Sequence, residues 1–175
     1  DTDFAYFDSM VHSQDFGFNH ANAILTVGFK DAAATGGDLF VCNEIYVYEK
    51  QTAEVINLAN KKKLDKRLTM WCDSAEPDRI KTWRGEGYEA RPVHKDPGSV
   101  GAQIDSLQRM KIHIHPRCTN TIKEVGQWRW KKDPKTGLFL DAPVEFMDDA
   151  MACLRYSIEE VRRGRNESWT THADY

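Results

Sequence analysis

The sequence predicts one α/β domain built on a mixed β-sheet with helices on both faces. Three observations lead there. Three strand-like runs follow one another with only tight links, as in an antiparallel meander. Helical and strand periodicities then alternate, as in parallel crossovers. The chain has 175 residues and is 41% hydrophobic, enough for one domain with a substantial core.

The first strand is predicted over Met10–Asp15 and ends on an acid. Phe16-Gly17-Phe18-Asn19-His20 follows, a turn in which Gly and Asn tolerate positive φ. Ala23–Lys30 is the second strand, Ala32–Gly37 a loop of small residues, and Leu39–Glu49 a third strand rich in β-branched and aromatic residues. Thr52–Lys63 carries Val55, Ile56, Leu58 and Ala59 at helical spacing and ends on lysines, which the helix dipole favours. Arg67–Cys72 is a fourth strand, stopping at Asp73. Glu76–Gly87 is a helix with Pro77 and Asp78 in its first turn. Tyr88–Val93 is a fifth strand, Ser99–Met110 a helix with Ser99 as a candidate cap, and Lys111–His115 a short strand stopped by Pro116. Cys118–Trp128 is a helix opened by Thr119 or Asn120. Asp133-Pro134-Lys135-Thr136-Gly137 is a turn signal that makes Arg129–Leu140 a hairpin, with Asp141–Glu145 as a link. The last helix spans Met147–Arg163, with Gly164 as its C-cap. This order of meander, parallel strands, helices on both faces and an added hairpin resembles the RNase H-like arrangement. It suggests a domain over residues 1–164 and a polar tail over 165–175.

Composition excludes little. With 24 basic and 27 acidic residues the net charge is −3 at pH 7, which does not announce a nucleic-acid binder but also averages away any local basic strip. No apolar run approaches the ~18–20 residues that cross a bilayer. The start, Asp1-Thr2-Asp3-Phe4, lacks the features of a signal peptide and reads as a domain cut from a longer chain. Cys42, Cys72, Cys118 and Cys153 show no CxxC spacing, so buried free thiols are expected rather than a zinc knuckle. No Walker A pattern is present.

Three acidic positions fall at element ends. Asp15 ends the first strand, Asp73 follows the fourth, and Asp148 and Asp149 open the last helix. In a mixed sheet the first and fourth strands can be neighbours, so their ends would lie side by side under a helix N-terminus. Carboxylates so gathered suit Mg²⁺ or Mn²⁺, and a pair of such ions can activate water against a phosphodiester. Each acid alone also has an ordinary reading, as turn chemistry or as a favourable charge in a first helical turn.

The stretches Asp15-Phe16-Gly17-Phe18-Asn19-His20, Asp73-Ser74-Ala75-Glu76-Pro77 and His115-Pro116-Arg117-Cys118-Thr119-Asn120-Thr121 resemble the C-terminal nuclease domain of the large terminases of tailed phages. So do Trp130-Lys131-Lys132-Asp133 and Asp148-Asp149-Ala150-Met151-Ala152-Cys153-Leu154-Arg155-Tyr156. The resemblance runs from about Asp15 to Tyr156. It implies an RNase H-like fold and hydrolysis of double-stranded DNA with two bound Mg²⁺ or Mn²⁺ ions. Asp15 and Asp73 would match the first two metal ligands and Asp149 the third, with Asp148 as its alternative. The resemblance further implies an ATPase domain elsewhere in the polypeptide, portal and small terminase partners, and action in the host cytoplasm.

One position departs from that pattern. Relatives often carry an Asp where this chain has Ala152. On a helical wheel Met147, Ala150, Met151, Leu154, Ile158 and Val161 form the core stripe, and position 152 points away from it, between Asp148 and Asp149. Either the remaining acids suffice, with weakened metal affinity, or the chain is a docking module that kept the fold.

Other residues are weaker candidates. Arg91, His94 and Lys95 precede the Pro97-Gly98-Ser99 loop, and Arg129, Lys131, Lys132 and Lys135 decorate the hairpin; both strips could hold DNA phosphates, or be solvated faces. Trp128 and Trp130 are expected to anchor the hairpin to the core. His113 and His115 alternate on one strand and are read as structural more readily than as a metal pair. His20 could touch the Asp15 site; Glu44 and Glu76 could be outer-shell acids of it but are expected more readily on exposed faces, a capping box also fitting Glu76. Other RNase H-like nucleases, such as junction resolvases or hybrid nucleases, share these acids.

Overall fold

The computed structural model describes residues 4–32, 36–144 and 147–162. After a 3₁₀ turn at Phe4–Tyr6 come β1 (Ser9–Asp15), β2 (Asn22–Lys30) and β3 (Asp38–Val47), then α1 (Thr52–Lys61), β4 (Thr69–Cys72), α2 (Pro77–Gly85) and β5 (Glu89–Pro92). They are followed by α3 (Ser99–Gln108), β6 (Lys111–Ile114), α4 (Thr119–Gln127), β7 (Trp130–Lys132), β8 (Phe139–Pro143) and α5 (Asp149–Ser157).

Six strands form one sheet in the order β5-β4-β1-β2-β3-β6, and β7 pairs with β8 in a separate hairpin. β1, β2 and β3 are antiparallel. β4 lies parallel to β1 and β5 parallel to β4, while β6 lies parallel to β3 at the other edge. The meander and the parallel additions are those expected from the sequence. The β1/β4 register pairs Gln14 with Cys72, so Asp15 and Asp73 emerge at the same end of neighbouring strands. The Asp73 amide donates to the Gln14 carbonyl at 3.2 Å and locks that alignment.

Side-chain alternation divides the core. Ala23, Leu25, Val27 and Phe29 of β2 face one side, with Val11, Trp71 and the apolar residues of α5. Ile24, Met70 and Cys72 face the other, with Val55, Ile56 and Ala59 of α1 and Ile80 and Trp83 of α2. Trp83 is fully buried and meets Tyr88 edge-on at 4.7 Å. Burying each such large side chain contributes ~1.5–3 kcal/mol.

α5 departs from the expected single stripe. It packs on β1 and β2 and touches α3 and α4 as well, so Asp149, Ala152, Cys153, Tyr156 and Ser157 are buried along with Ala150, Met151 and Leu154. A helix sandwiched between a sheet and other helices buries more than one face. Met147 is not part of the helix; its φ is +49° and Asp148 is the N-cap. Three other boundaries move for local reasons. Gly98, at φ +79°, precedes α3 in place of Ser99 as cap. Glu76 is the N-cap of α2 without a side-chain hydrogen bond, while a capping box forms instead between Gln51 and Glu54. β8 continues through the expected link as far as Pro143, because Trp130 pairs with it there. All four cysteines are free thiols, three of them buried. Trp128 packs against the core, as expected of a hairpin anchor. Arg163, Gly164 and the tail lie outside the described residues.

Candidate metal centre

β1 delivers Asp15 to the carboxyl end of the sheet, and the chain reverses at once to re-enter as β2. Gly17 permits that reversal: a Cβ there would lie 2.2 Å from the Ala21 carbonyl oxygen, so nothing larger than hydrogen fits without a backbone shift. The same turn carries His20. α5 begins above this edge with Asp149 in its first turn, and His20 Nδ1 lies 2.6 Å from Asp149 Oδ1. Asp15, His20 and Asp149 each offer a ligand atom, all within 4.8 Å of one another. Among the described residues they are the one such group of three or more His, Cys, Asp or Glu side chains.

Asp73 stands beside this group rather than within it. Its Oδ1 accepts the Ala75 amide at 2.9 Å and the Lys95 ammonium. Burial, reinforced by the charges of Asp73 and Asp149, pushes the Asp15 carboxyl up to about 7. The Tyr156 hydroxyl approaches Asp15 Oδ1 at 3.5 Å. Burial disfavours the His20 imidazolium, but the hydrogen bond and charge of Asp149 outweigh it and raise the His20 pKa.

Two glutamates from other elements hold the helices that frame the site. Neither α4 nor α5 has a side-chain hydrogen bond from its own N-cap residue. At α4 the role falls to Glu44 of β3, which accepts the amides of Asn120 at 3.0 Å and Thr121 at 2.9 Å together with both their side chains. Glu44 is therefore buried, not on the exposed face expected for it. At α5 it falls to Glu124 of α4, whose Oε2 accepts the Met151 amide at 3.0 Å. Burial, with Asp149 adding repulsion, pushes the Glu124 carboxyl up to about 7. The Tyr46 hydroxyl sits 2.7 Å from Glu124 Oε1 and 3.3 Å from Asp149 Oδ2, tying the cap to the candidate ligand.

The remaining candidates separate. Ala152 is buried one turn into α5, its amide donating to the Asp148 carbonyl at 2.7 Å, and its methyl supplies no donor. His113 is held by Asp38 at 2.7 Å and stacks on Phe40, while His115 lies past β6 and receives Arg117, so the two histidines do not act together. Arg91 pairs with Glu89. Glu76 pairs with Arg79. Lys132 lies over the Phe139 ring, in the hairpin that also carries Arg129, Lys131 and Lys135. Sequence reasoning did not single out Glu124, Tyr46 or Tyr156. The available signal was α4 itself: its buried residues are Thr121 and Glu124 while Ile122 and Val125 are exposed, a polar inner face that hydrophobic periodicity cannot register.

The family model described as "Terminase RNAseH like domain" matches residues 15–160. The chain belongs to that family. Among solved structures this terminase domain is similar to the nuclease domain of the large terminase g2p from bacteriophage SPP1 with bound Mn. That match has a TM-score of 0.79 and 20% identity and covers 91% of this chain and 90% of that one. A large terminase from a thermophilic bacteriophage is 15% identical with a TM-score of 0.66, covering 89% of this chain but 40% of its own. The nuclease domain of the P22 large terminase is 15% identical with a TM-score of 0.67, covering 88% of this chain and 81% of that one. Among curated proteins no sequence matches this chain.

The donor set of this terminase domain fits a hard dication. Two carboxylates and an imidazole converge, a third carboxylate stands alongside, and their mutual repulsion is what a bound positive charge would relieve. Among the described residues no helix is long and apolar enough to cross a membrane.

Proposed function

We propose that this domain is a metal-dependent endonuclease that hydrolyses phosphodiester bonds of double-stranded viral DNA during genome packaging in the host cytoplasm. The observation that carries this reading is the convergence of Asp15, His20 and Asp149 within 4.8 Å at the end of the strand pair that also bears Asp73. Asp15 and Asp149 would hold Mg²⁺ or Mn²⁺, with Asp73 positioned to share a second ion and His20 to add a nitrogen donor or orient Asp149. Such ions, when bound, lower the pKa of water and offset charge on the phosphate. The chain's own residues do the rest. Tyr46 and Tyr156 orient carboxylate oxygens, Glu124 fixes the first turn of α5, and Lys95 brings positive charge to the edge of the centre. Arg91, Arg129, Lys131, Lys132 and Lys135 are proposed as phosphate contacts that position the duplex without reading its sequence. The ATPase domain would lie elsewhere in the same polypeptide, in keeping with the 40% of the thermophilic phage's large terminase that this chain spans. The portal and the small terminase subunit are the proposed partners.

Ala152 supports a second reading, a domain that retains the fold and docks without cutting. Plasmid cleavage in Mn²⁺, Mg²⁺ or chelator separates the two. The nuclease reading expects metal-dependent nicking that Asp15→Asn abolishes. The docking reading expects none at any Mn²⁺ concentration.

A further inference from the structure

A cavity of about 580 Å³ lies between the start of α3, the hairpin and α5, with Lys95, Ser99, Gln103, Trp130, Arg155 and Tyr156 in its walls. It adjoins the candidate metal centre through three of its lining residues. Tyr156 reaches Asp15, Lys95 reaches Asp73, and Asp148 precedes Asp149.

Arg155, which lies against the Tyr156 ring at 5.6 Å, makes no direct hydrogen bond to the candidate ligands. The residue is half-buried on α5, and its Nη1 meets the Gln103 Oε1 at a long 3.4 Å. Its Nε is buried without a hydrogen-bond partner. Among the described residues no carboxylate lies in ion-pair range of it, although its charge is felt at Asp15. A guanidinium presents five donors in a fixed fork that matches an oxyanion, and a partly desolvated one is ordinarily matched by an anion. Gln103 is almost fully buried and braces the fork from the side. α3 starts at the same wall, after Gly98, with no side-chain cap on its N-terminus, so its dipole adds to the two cations.

Taking the nuclease reading as its starting point, we infer that this cavity seats one backbone phosphate of the DNA duplex next to the scissile bond, with Arg155 gripping it and Lys95 and the α3 N-terminus completing the cradle. A phosphodiester is the ligand whose charge, size and acceptor oxygens answer all three donor groups. A seat one phosphate away from the metals would fix the register of the strand, a positioning role that carries no base information.

The test uses this chain, with Arg155→Gln and Arg155→Lys as variants. Binding of a fluorescent duplex is followed by anisotropy in chelator across a salt series, and Mn²⁺ binding without DNA is followed by calorimetry. Loss of one phosphate contact should weaken duplex binding by about tenfold and flatten the slope of log K against log salt by about 0.9. Arg155→Lys should restore the slope, since it keeps the charge, while recovering part of the affinity. Arg155→Lys keeps the charge felt at Asp15 and should leave Mn²⁺ affinity unchanged, while in Arg155→Gln Mn²⁺ affinity should not fall in step with duplex affinity. An unchanged salt slope in Arg155→Gln, or no duplex binding by the unsubstituted chain, overturns the inference. So does a loss of Mn²⁺ affinity that matches the loss of DNA affinity, because Arg155 would then serve the metal centre. Duplex binding with the expected slopes but no cleavage by the unsubstituted chain would instead retire the nuclease reading and leave the phosphate seat standing.

Discussion

Replacing Asp15 by Asn should stabilise the metal-free protein while removing one of the proposed metal ligands. Burial and the charges of Asp73 and Asp149 move the Asp15 carboxyl from 3.8 to about 7. Between those values the native state holds a proton that the unfolded chain has released, so stability falls as pH rises through this window and is level above it. A shift of about three pH units at about 1.36 kcal/mol each amounts to about 4 kcal/mol. Asn cannot ionise and escapes that cost. Glu124 titrates in the same range with the same sign, but it is present in both proteins and cancels in their difference. Scanning calorimetry in chelator should therefore show little difference at pH 4 and a melting temperature roughly 8–16 °C higher for Asp15→Asn at pH 8. Mn²⁺ should then raise the melting temperature of the unsubstituted chain and leave the variant unmoved. A difference that does not change with pH, or a variant less stable at pH 8, would refute the electrostatic reasoning.

Ala152→Asp places a carboxylate at a position 5% exposed in the first turns of α5. It should lower the melting temperature in chelator, recover it with Mn²⁺, and raise both Mn²⁺ affinity and plasmid cleavage; if binding and cleavage both stay put, the position is no part of the centre. Glu44→Ala strips two amides and two side chains at the α4 N-terminus of their acceptor, and urea unfolding should register a loss of about 2–3 kcal/mol. A loss near zero would remove Glu44 as the cap. Gly17→Ala forces the turn after β1 to move, since the new methyl meets backbone at 2.2 Å. Calorimetric Mn²⁺ binding should weaken because His20 moves with the turn, and undiminished affinity would show that His20 is not a ligand.

The link from Glu44 through α4 and Glu124 to α5 explains how an acidic site is kept in shape. Crowded carboxylates repel, and Asp149 would swing away if its helix end were loose. The Met151 amide is fixed by Glu124, and Asp149 itself is held by His20 and Tyr46. Buried networks of this kind carry a high penalty when one member is lost, which favours a single arrangement of the site.

The amino-acid order settles the framework because the forces that write it are local. Strand-like runs, the third rich in β-branched and aromatic residues, and the turn residues between them mark β1 to β3, and the exits of Asp15 and Asp73 from neighbouring strands follow from the meander and the first crossover. The placement of Asp149 at a helix start was legible too, together with the likeness of its surrounding motif to known terminases. Long-range packing settled the rest. His20 meets Asp149 across 129 positions, and Glu44 meets Thr121 across 77. Hydrophobic periodicity records how much apolar surface an element buries; it is silent on which polar side chain another element will press against it. For that reason Glu44 read as an exposed acid and α5 as a helix with one buried face, until the fold enclosed both.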